Sequence, residues 1–371
     1  MIKYLDKIKV FKDYVDGVCI MKKVYDKLNY YLNDICNYLE RKHKFLLENI
    51  DKICKLNDDS LKILESYSFD NQTIQNSLTY DEIYCLAREI VECIDKDYLE
   101  SFDNLIQSGE LDFSYENAYS DSQCVSTYKD GEAIRQIINI NREFNYNDVI
   151  LLIHEFIHYT NGKKISKNRD FFTEFLSIYF EFYAIDYLLQ KGINKEEIDY
   201  LDRIKNLKEH STIFFQYEIV LLAYEKFGNL DENTVELLQQ YFLDVEKETF
   251  EKECTTLQNN LCIAEEINKD RIKKNPNESG HILAEEFMSY NYKYILGTFL
   301  ALYAREYSNF NDVVNLNNHI NELNDKTIYG ICLSIGIDLN DENFVQKLFD
   351  SMKEYINAKQ FESAKLIKKL N

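Results

Sequence analysis

Residues 150–188 read ILLIHEFIHYTNGKKISKNRDFFTEFLSIYFEFYAIDYL. Near its start stand His154, Glu155 and His158, the pattern H-E-x-x-H. Residues four apart share one face of a helix, so the two imidazoles point the same way. Imidazoles so placed can hold one Zn²⁺, and the glutamate between them can reach a water activated by the metal as general base. The chain has only 6 histidines in 371 residues, so this spacing around a glutamate is a specific signal.

Zinc needs a third protein ligand and an open position for water. Asn161 and Gly162 end the first helix, and the polar run KKISKNR leads to Asp170, a capping residue for the next. Two helices joined in this way form an antiparallel hairpin. His158 then faces the start of the second helix, where Glu174 lies, and Glu174 is the expected third ligand. Glu181 is about 10.5 Å further along the axis, too far to share the ion. It is expected beside His154, accepting a hydrogen bond that fixes the imidazole tautomer. Both glutamates interrupt an apolar, aromatic face, where a lone carboxylate is costly.

Upstream, Asn145 or Asn147 caps the motif helix and Asp148 sits in its first turn. Before that, Ser114, Asn117, Ser120, Asp121, Ser122, Ser126, Asp130 and Gly131 are turn formers. Between them Gln123–Thr127 and Ala133–Ile140 carry the β-branched content of strands. This is expected to be the protein's one sheet, either a structural hairpin or an edge that pairs with an extended peptide.

The rest reads as helix. One proline and ten glycines leave few breakers among many Leu, Ile, Lys and Glu. Apolar periodicity runs through Val24–Leu47, Asp59–Tyr67 and Thr79–Ile106, with breaks expected near Gly17, Asn57–Asp59 and Phe69–Thr73. It resumes in Lys195–Leu207, Ile213–Phe227, Glu232–Phe250, Cys254–Lys269, Ile282–Tyr307, Ile328–Ile337, Asn343–Ile356 and Lys359–Leu370. The fold expected is mainly α, with a small hairpin or sheet beside the HExxH helix.

A net charge of −21 argues against nucleic-acid binding. Nine cysteines without a C-x-x-C pair read as reduced thiols, mostly buried. Neither a signal peptide nor an apolar run long enough for a membrane is seen, so the expected location is the cytoplasm. Peptide hydrolysis would also need donors for an oxyanion besides zinc. His281 and the tyrosines of SYNYKY (Tyr290, Tyr292 and Tyr294) are candidates, against core packing as the plainer use of such tyrosines.

HEFIH followed by EFLSIYFE resembles the M3 zinc metallopeptidases, thimet oligopeptidase and oligoendopeptidase F, whose pattern is H-E-x-G-H and then E-x-x-S-x-x-x-E. Glu174, Ser177 and Glu181 match that spacing, and YNYKYILG resembles the Tyr-x-Tyr-Lys-Tyr stretch of the oligoendopeptidase F branch, with Gly297 in place. The resemblance covers roughly residues 111–310. It implies His154, His158 and Glu174 as metal ligands, Glu155 as base and Glu181 behind the ligands. It further implies Tyr292, and next Tyr290, as stabilisers of the intermediate, with His281 in the place of an upstream family histidine. The family fold is largely helical, with a channel that admits short peptides. Ile157 stands where the family has glycine, and the portion before His154 is shorter than the family's. The expected organisation is an N-terminal helical region, 1–110, and a catalytic domain, 111–371. The function expected is zinc-dependent hydrolysis of short peptides. The alternative is a silent peptide-binding or regulatory protein that keeps the metallopeptidase fold.

Overall fold

Scarcity of helix breakers yields long helices. A computed structural model of the chain describes residues 2–42, 44–69, 77–113, 122–163, 169–239, 246–284, 290–323 and 325–357. From the N-terminus run α1 (Ile2–Lys42), α2 (Lys44–Glu48), α3 (Ile50–Glu65), α4 (Tyr80–Ile94) and α5 (Tyr98–Ser108). Strands β1 (Leu111–Asp112), β2 (Gln123–Lys129) and β3 (Glu132–Asn139) follow, and then α6 (Tyr146–Asn161) and α7 (Arg169–Gln190). Next come α8 (Asp202–Phe227), α9 (Thr234–Gln239), α10 (Lys247–Ile267), α11 (Lys269–Lys274) and α12 (Ser279–Ala284). The described chain closes with α13 (Tyr290–Tyr307), α14 (Phe310–His319), α15 (Ile328–Ser334) and α16 (Phe344–Asn357). The mainly helical expectation holds, with the sheet beside the motif helix α6.

Several boundaries differ from expectation. Helix α1 continues through Gly17, because one glycine costs only about 1 kcal/mol in a helix interior. Helix α3 runs through Asn57–Asp59, because Asn57 is buried and donates to Ser211 O (3.1 Å) and Glu218 Oε1 (3.3 Å). The segment Thr79–Ile106 divides at Asp95, whose extended backbone and side-chain bond to the Asp97 amide (2.9 Å) make a turn. The two segments expected at 195–227 differ as well: Lys195–Glu197 is a 3-10 turn, and one helix, α8, follows it. Helix α14 was not expected; Asn309 caps it by accepting from the Asn311 amide (2.9 Å). The expected helix Lys359–Leu370 and the turn formers Ser114, Asn117, Ser120 and Asp121 lie outside the described residues.

The chain divides into two units, Met1–Ser66 with Glu209–Tyr292 and Tyr67–Lys208 with Lys293–Asn371. Residues 67–110 fall in the same unit as the motif helix. In the first unit α1 packs on α10 and α12. A Cβ at Gly280 would come within 2.4 Å of Asp34 O, so the crossing of α12 on α1 requires glycine. His281 lies in this unit, stacked on Tyr38 with ring centroids 4.6 Å apart.

The second unit is organised around α6 and α7. Val149, Leu152, Ile153, Phe156 and Ile157 of α6 are fully buried, as are Phe172, Phe175, Leu176, Ile178, Phe180 and Phe182 of α7. A helix apolar on so much of its surface belongs in the middle of a body. Phe156 meets Phe102 edge-on at 5.0 Å, which ties α6 to α5. The sheet has the order β1-β3-β2, with β1 parallel and β2 antiparallel to β3 and Cys124 opposite Ile138. Asp130 and Gly131 both have positive φ (53° and 83°), the two-residue turn that matches strand twist. Buried Gln136 of β3 donates to Tyr159 O (3.0 Å) and Tyr128 of β2 to Gly162 O (2.8 Å), fastening the sheet to the end of α6. At the start of α6, Asn145 accepts from the Asn147 amide (2.8 Å). Buried Asp148 accepts from the Glu143 and Phe144 amides, holding Phe144 at φ 58°.

Among the described residues no helix is long and apolar enough to cross a membrane. Every described cysteine is a free thiol; Cys54, Cys254 and Cys332 are buried, whereas Cys85 and Cys93 are exposed.

Candidate metal centre

Helical spacing brings His154 and His158 together as anticipated, with Nε2 atoms 2.9 Å apart. Glu174, early in α7, completes the group. Its Oε2 lies 3.6 Å from His154 Nε2 and its Oε1 3.7 Å from His158 Nε2. One ligand atom from each of the three lies within 4.8 Å of the others. Glu174 Oε2 is buried with no hydrogen-bond partner. A buried, unsatisfied carboxylate oxygen costs about 1–3 kcal/mol or more, unless a cation compensates it. Two imidazole nitrogens and a carboxylate are also the donor set that a three-ligand zinc site uses. The residues fit the ion.

Behind these three sits a supporting layer. Glu181, one side chain deep in the core at 1% exposure, pairs through Oε1 with His154 Nδ1. His154 is thereby held with Nε2 toward the other ligands. Burial would lower the His154 pKa, but the charge and hydrogen bond of Glu181 outweigh it and hold it above its ordinary value. Arg203, near the start of α8, grips both Glu181 oxygens through Nε and Nη2. Burial pushes Glu181 up, yet Arg203 and His154 together bring its pKa below the usual carboxylate range. Ser177 Oγ lies 3.3 Å from His158 Nδ1, at the position that orients the second imidazole.

Glu155 is buried beside the group. Burial raises its pKa to about 7; His154 opposes the shift and Glu174 adds to it, while the Cys124 amide of β2 hydrogen-bonds the carboxylate. A carboxyl that exchanges its proton near neutrality suits a general base. Its bond to Cys124 also fixes where the sheet lies: β2, at the edge of the sheet, runs next to Glu155. Ile157, where the H-E-x-G-H pattern has glycine, is fully buried in the core.

The oxyanion candidates have different positions. Tyr292 is buried and closes the first unit, which also holds His281, whereas Tyr294 belongs to the second. The side chain of Tyr290 lies outside the described residues. On α13, Gly297 packs against the backbone of Glu174 and Phe175. Tyr294, three residues before, shares that face. Its phenol is close enough to act electrostatically on Arg203.

Sequence reasoning missed three contributors. Arg203 carries no local signal; only the rule that a buried glutamate needs a partner points to such a cation. The Cys124 amide is backbone and has no residue signature. Gly297 is visible in the sequence, but its contact with Glu174 is not.

No family model matches the chain, and no curated protein matches it. Among solved structures, a protein assigned as a peptidase from Chlamydophila abortus matches with a TM-score of 0.51 and 13% identity, over 95% of this chain and 63% of its own. A protein assigned as an oligoendopeptidase F from Bacillus anthracis str. Ames matches with a TM-score of 0.45 and 16% identity, over 88% of this chain and 56% of its own. The chain thus spans less than two thirds of the length of either. The first of these likenesses is one of fold.

Proposed function

We propose that this protein is a zinc-dependent peptidase that hydrolyses short peptides. The observation that carries the reading is the convergence of His154, His158 and Glu174 around a buried carboxylate oxygen that has no hydrogen-bond partner. Likeness of fold to a protein assigned as a peptidase agrees with it. His154, His158 and Glu174 would hold the ion, which when bound supplies Lewis acidity toward a water and a scissile carbonyl.

The remaining chemistry falls to the chain's own side chains. Glu155 takes the proton from the attacking water and returns it to the leaving amine. Glu181 and Ser177 hold the two imidazoles in the tautomer that presents Nε2. Strand β2 pairs with β3 on one edge. An extended peptide lying along β2 would run past Glu155, whose carboxylate accepts from the Cys124 amide of that strand. Of the oxyanion candidates Tyr290, Tyr292, Tyr294 and His281, Tyr294 is the one that lies in the same unit as the three ligands, on the face of α13 that carries Gly297.

Purified protein is incubated with a quenched-fluorescence library of short peptides. Cleavage that stops with a chelator and returns with stoichiometric zinc is expected. Tight peptide binding without products would instead support the silent binding protein.

A further inference from the structure

We propose that Gly297 is a positioning residue for Glu174, a notch in α13 that fixes how far the carboxylate of α7 reaches toward the two histidines. The inference rests on the zinc reading above. Glycine in a helix interior is unfavourable by propensity, so its presence there needs a reason. The reason is contact. A Cβ built at Gly297 would lie 3.0 Å from Phe175 N, 3.1 Å from Glu174 C and 3.1 Å from Glu174 Cβ. All three atoms belong to the ligand residue or to the peptide bond that follows it.

Ordinary contacts begin at 3.4 Å, so any side chain at 297 must push α7 and α13 apart by a few tenths of an ångström. Both helices are buried around this contact. Phe172, Phe175 and Leu176 of α7 are fully buried, and Thr298, Phe299, Leu300 and Ala301 of α13 are buried too. A close-packed interior passes such a strain on instead of absorbing it. The Glu174 side chain keeps partial exposure and is the part free to shift. A zinc site tolerates about ±0.2 Å in ligand distance. A shift of a few tenths of an ångström at Glu174 is on the scale of that window, and it changes where the carboxylate sits relative to His154 and His158.

The test is Gly297→Ala, followed by zinc titration against a chromophoric chelator and by thermal melting of the metal-free protein. Alanine is the better helix former, so an idle notch would give a higher Tm and unchanged zinc affinity. The proposal predicts folded protein whose zinc affinity falls about 10- to 100-fold, the range for residues that orient a ligand. In a Glu174→Ala background, Gly297→Ala should leave the residual affinity unchanged, because the residue it positions is gone. Unchanged affinity in the single variant overturns the proposal. So does a variant that no longer folds, since the notch would then serve the packing of the two helices at large. Wild-type protein is titrated first: if it binds no zinc, the metal reading itself fails, a result distinct from failure of the notch.

Discussion

Replacing Arg203 with methionine tests the layer behind the ligands. Arg203 donates two charge-assisted hydrogen bonds to Glu181, and the side chains are 12% and 1% exposed. Methionine keeps much of the aliphatic volume and removes the charge. Glu181 is then left buried with His154 as its remaining partner. Breaking a buried pair from one side costs about 3–5 kcal/mol, against about 0.2–1 kcal/mol for an exposed pair. At about 2–4 °C per kcal/mol for a body of some 150–250 residues, Tm of the metal-free protein should fall by about 6–20 °C. The second consequence is at the metal. With Glu181 no longer held from behind, His154 loses its fixed orientation, and zinc affinity should fall about 10- to 100-fold, or about 1.4–2.7 kcal/mol. Differential scanning calorimetry and zinc competition read the two effects separately. Arg203→Lys restores the charge without the planar fork and should recover only part of each. A loss below about 1 kcal/mol together with unchanged zinc affinity would refute the reasoning.

Other perturbations probe the body around the site. Burial raises the Glu218 pKa well above the ordinary carboxylate value, so the folded state keeps a proton that the unfolded state releases. Its stability contribution is therefore present below the unfolded pKa and is lost as pH rises. Glu218→Gln should gain on wild type as pH rises above the unfolded carboxylate range, by at most about 1.4 kcal/mol per pH unit, read from urea midpoints; a difference between the two proteins that does not change with pH would oppose this. Asp148→Ala strips the acceptor that holds Glu143 and Phe144 at the start of α6. It should cost about 2–4 kcal/mol by chemical denaturation, whereas a loss under 0.5 kcal/mol would mean water replaces the carboxylate. Phe156→Ala removes the ring that α5 and α6 share. A loss of about 3–5 kcal/mol is expected, and less than 1 kcal/mol would show that α5 closes over the gap.

What the sequence revealed depended on how local each interaction is. His154, His158, Glu174 and Glu181 sit within one helical hairpin, so the helix period and a turn were enough to bring them together. The Asp130–Gly131 turn and its two strands were legible for the same reason. Arg203 and the Glu174 contact of Gly297 come from elements distant in sequence, and no periodicity links them. Polar residues used inside the core misled the reading. Asn57 reads as a break, though its amide is spent on Ser211 and Glu218. Helix α14 went unseen for a similar reason, because buried Asn317 satisfies itself on Tyr98 and Thr160. At His281 residue type gave no information on location, and it stacks on Tyr38 of α1.

The central claim is that Glu155, beside the three ligands, moves the proton in peptide hydrolysis. The most direct measurement compares zinc content and the turnover of a cleavable peptide in wild type and Glu155→Gln. The amide keeps the shape of the carboxylate but cannot accept the proton, so the variant should retain one zinc per chain and lose turnover by at least about 10²-fold. Glu155→Gln protein that holds its zinc and cleaves at the wild-type rate would contradict the account.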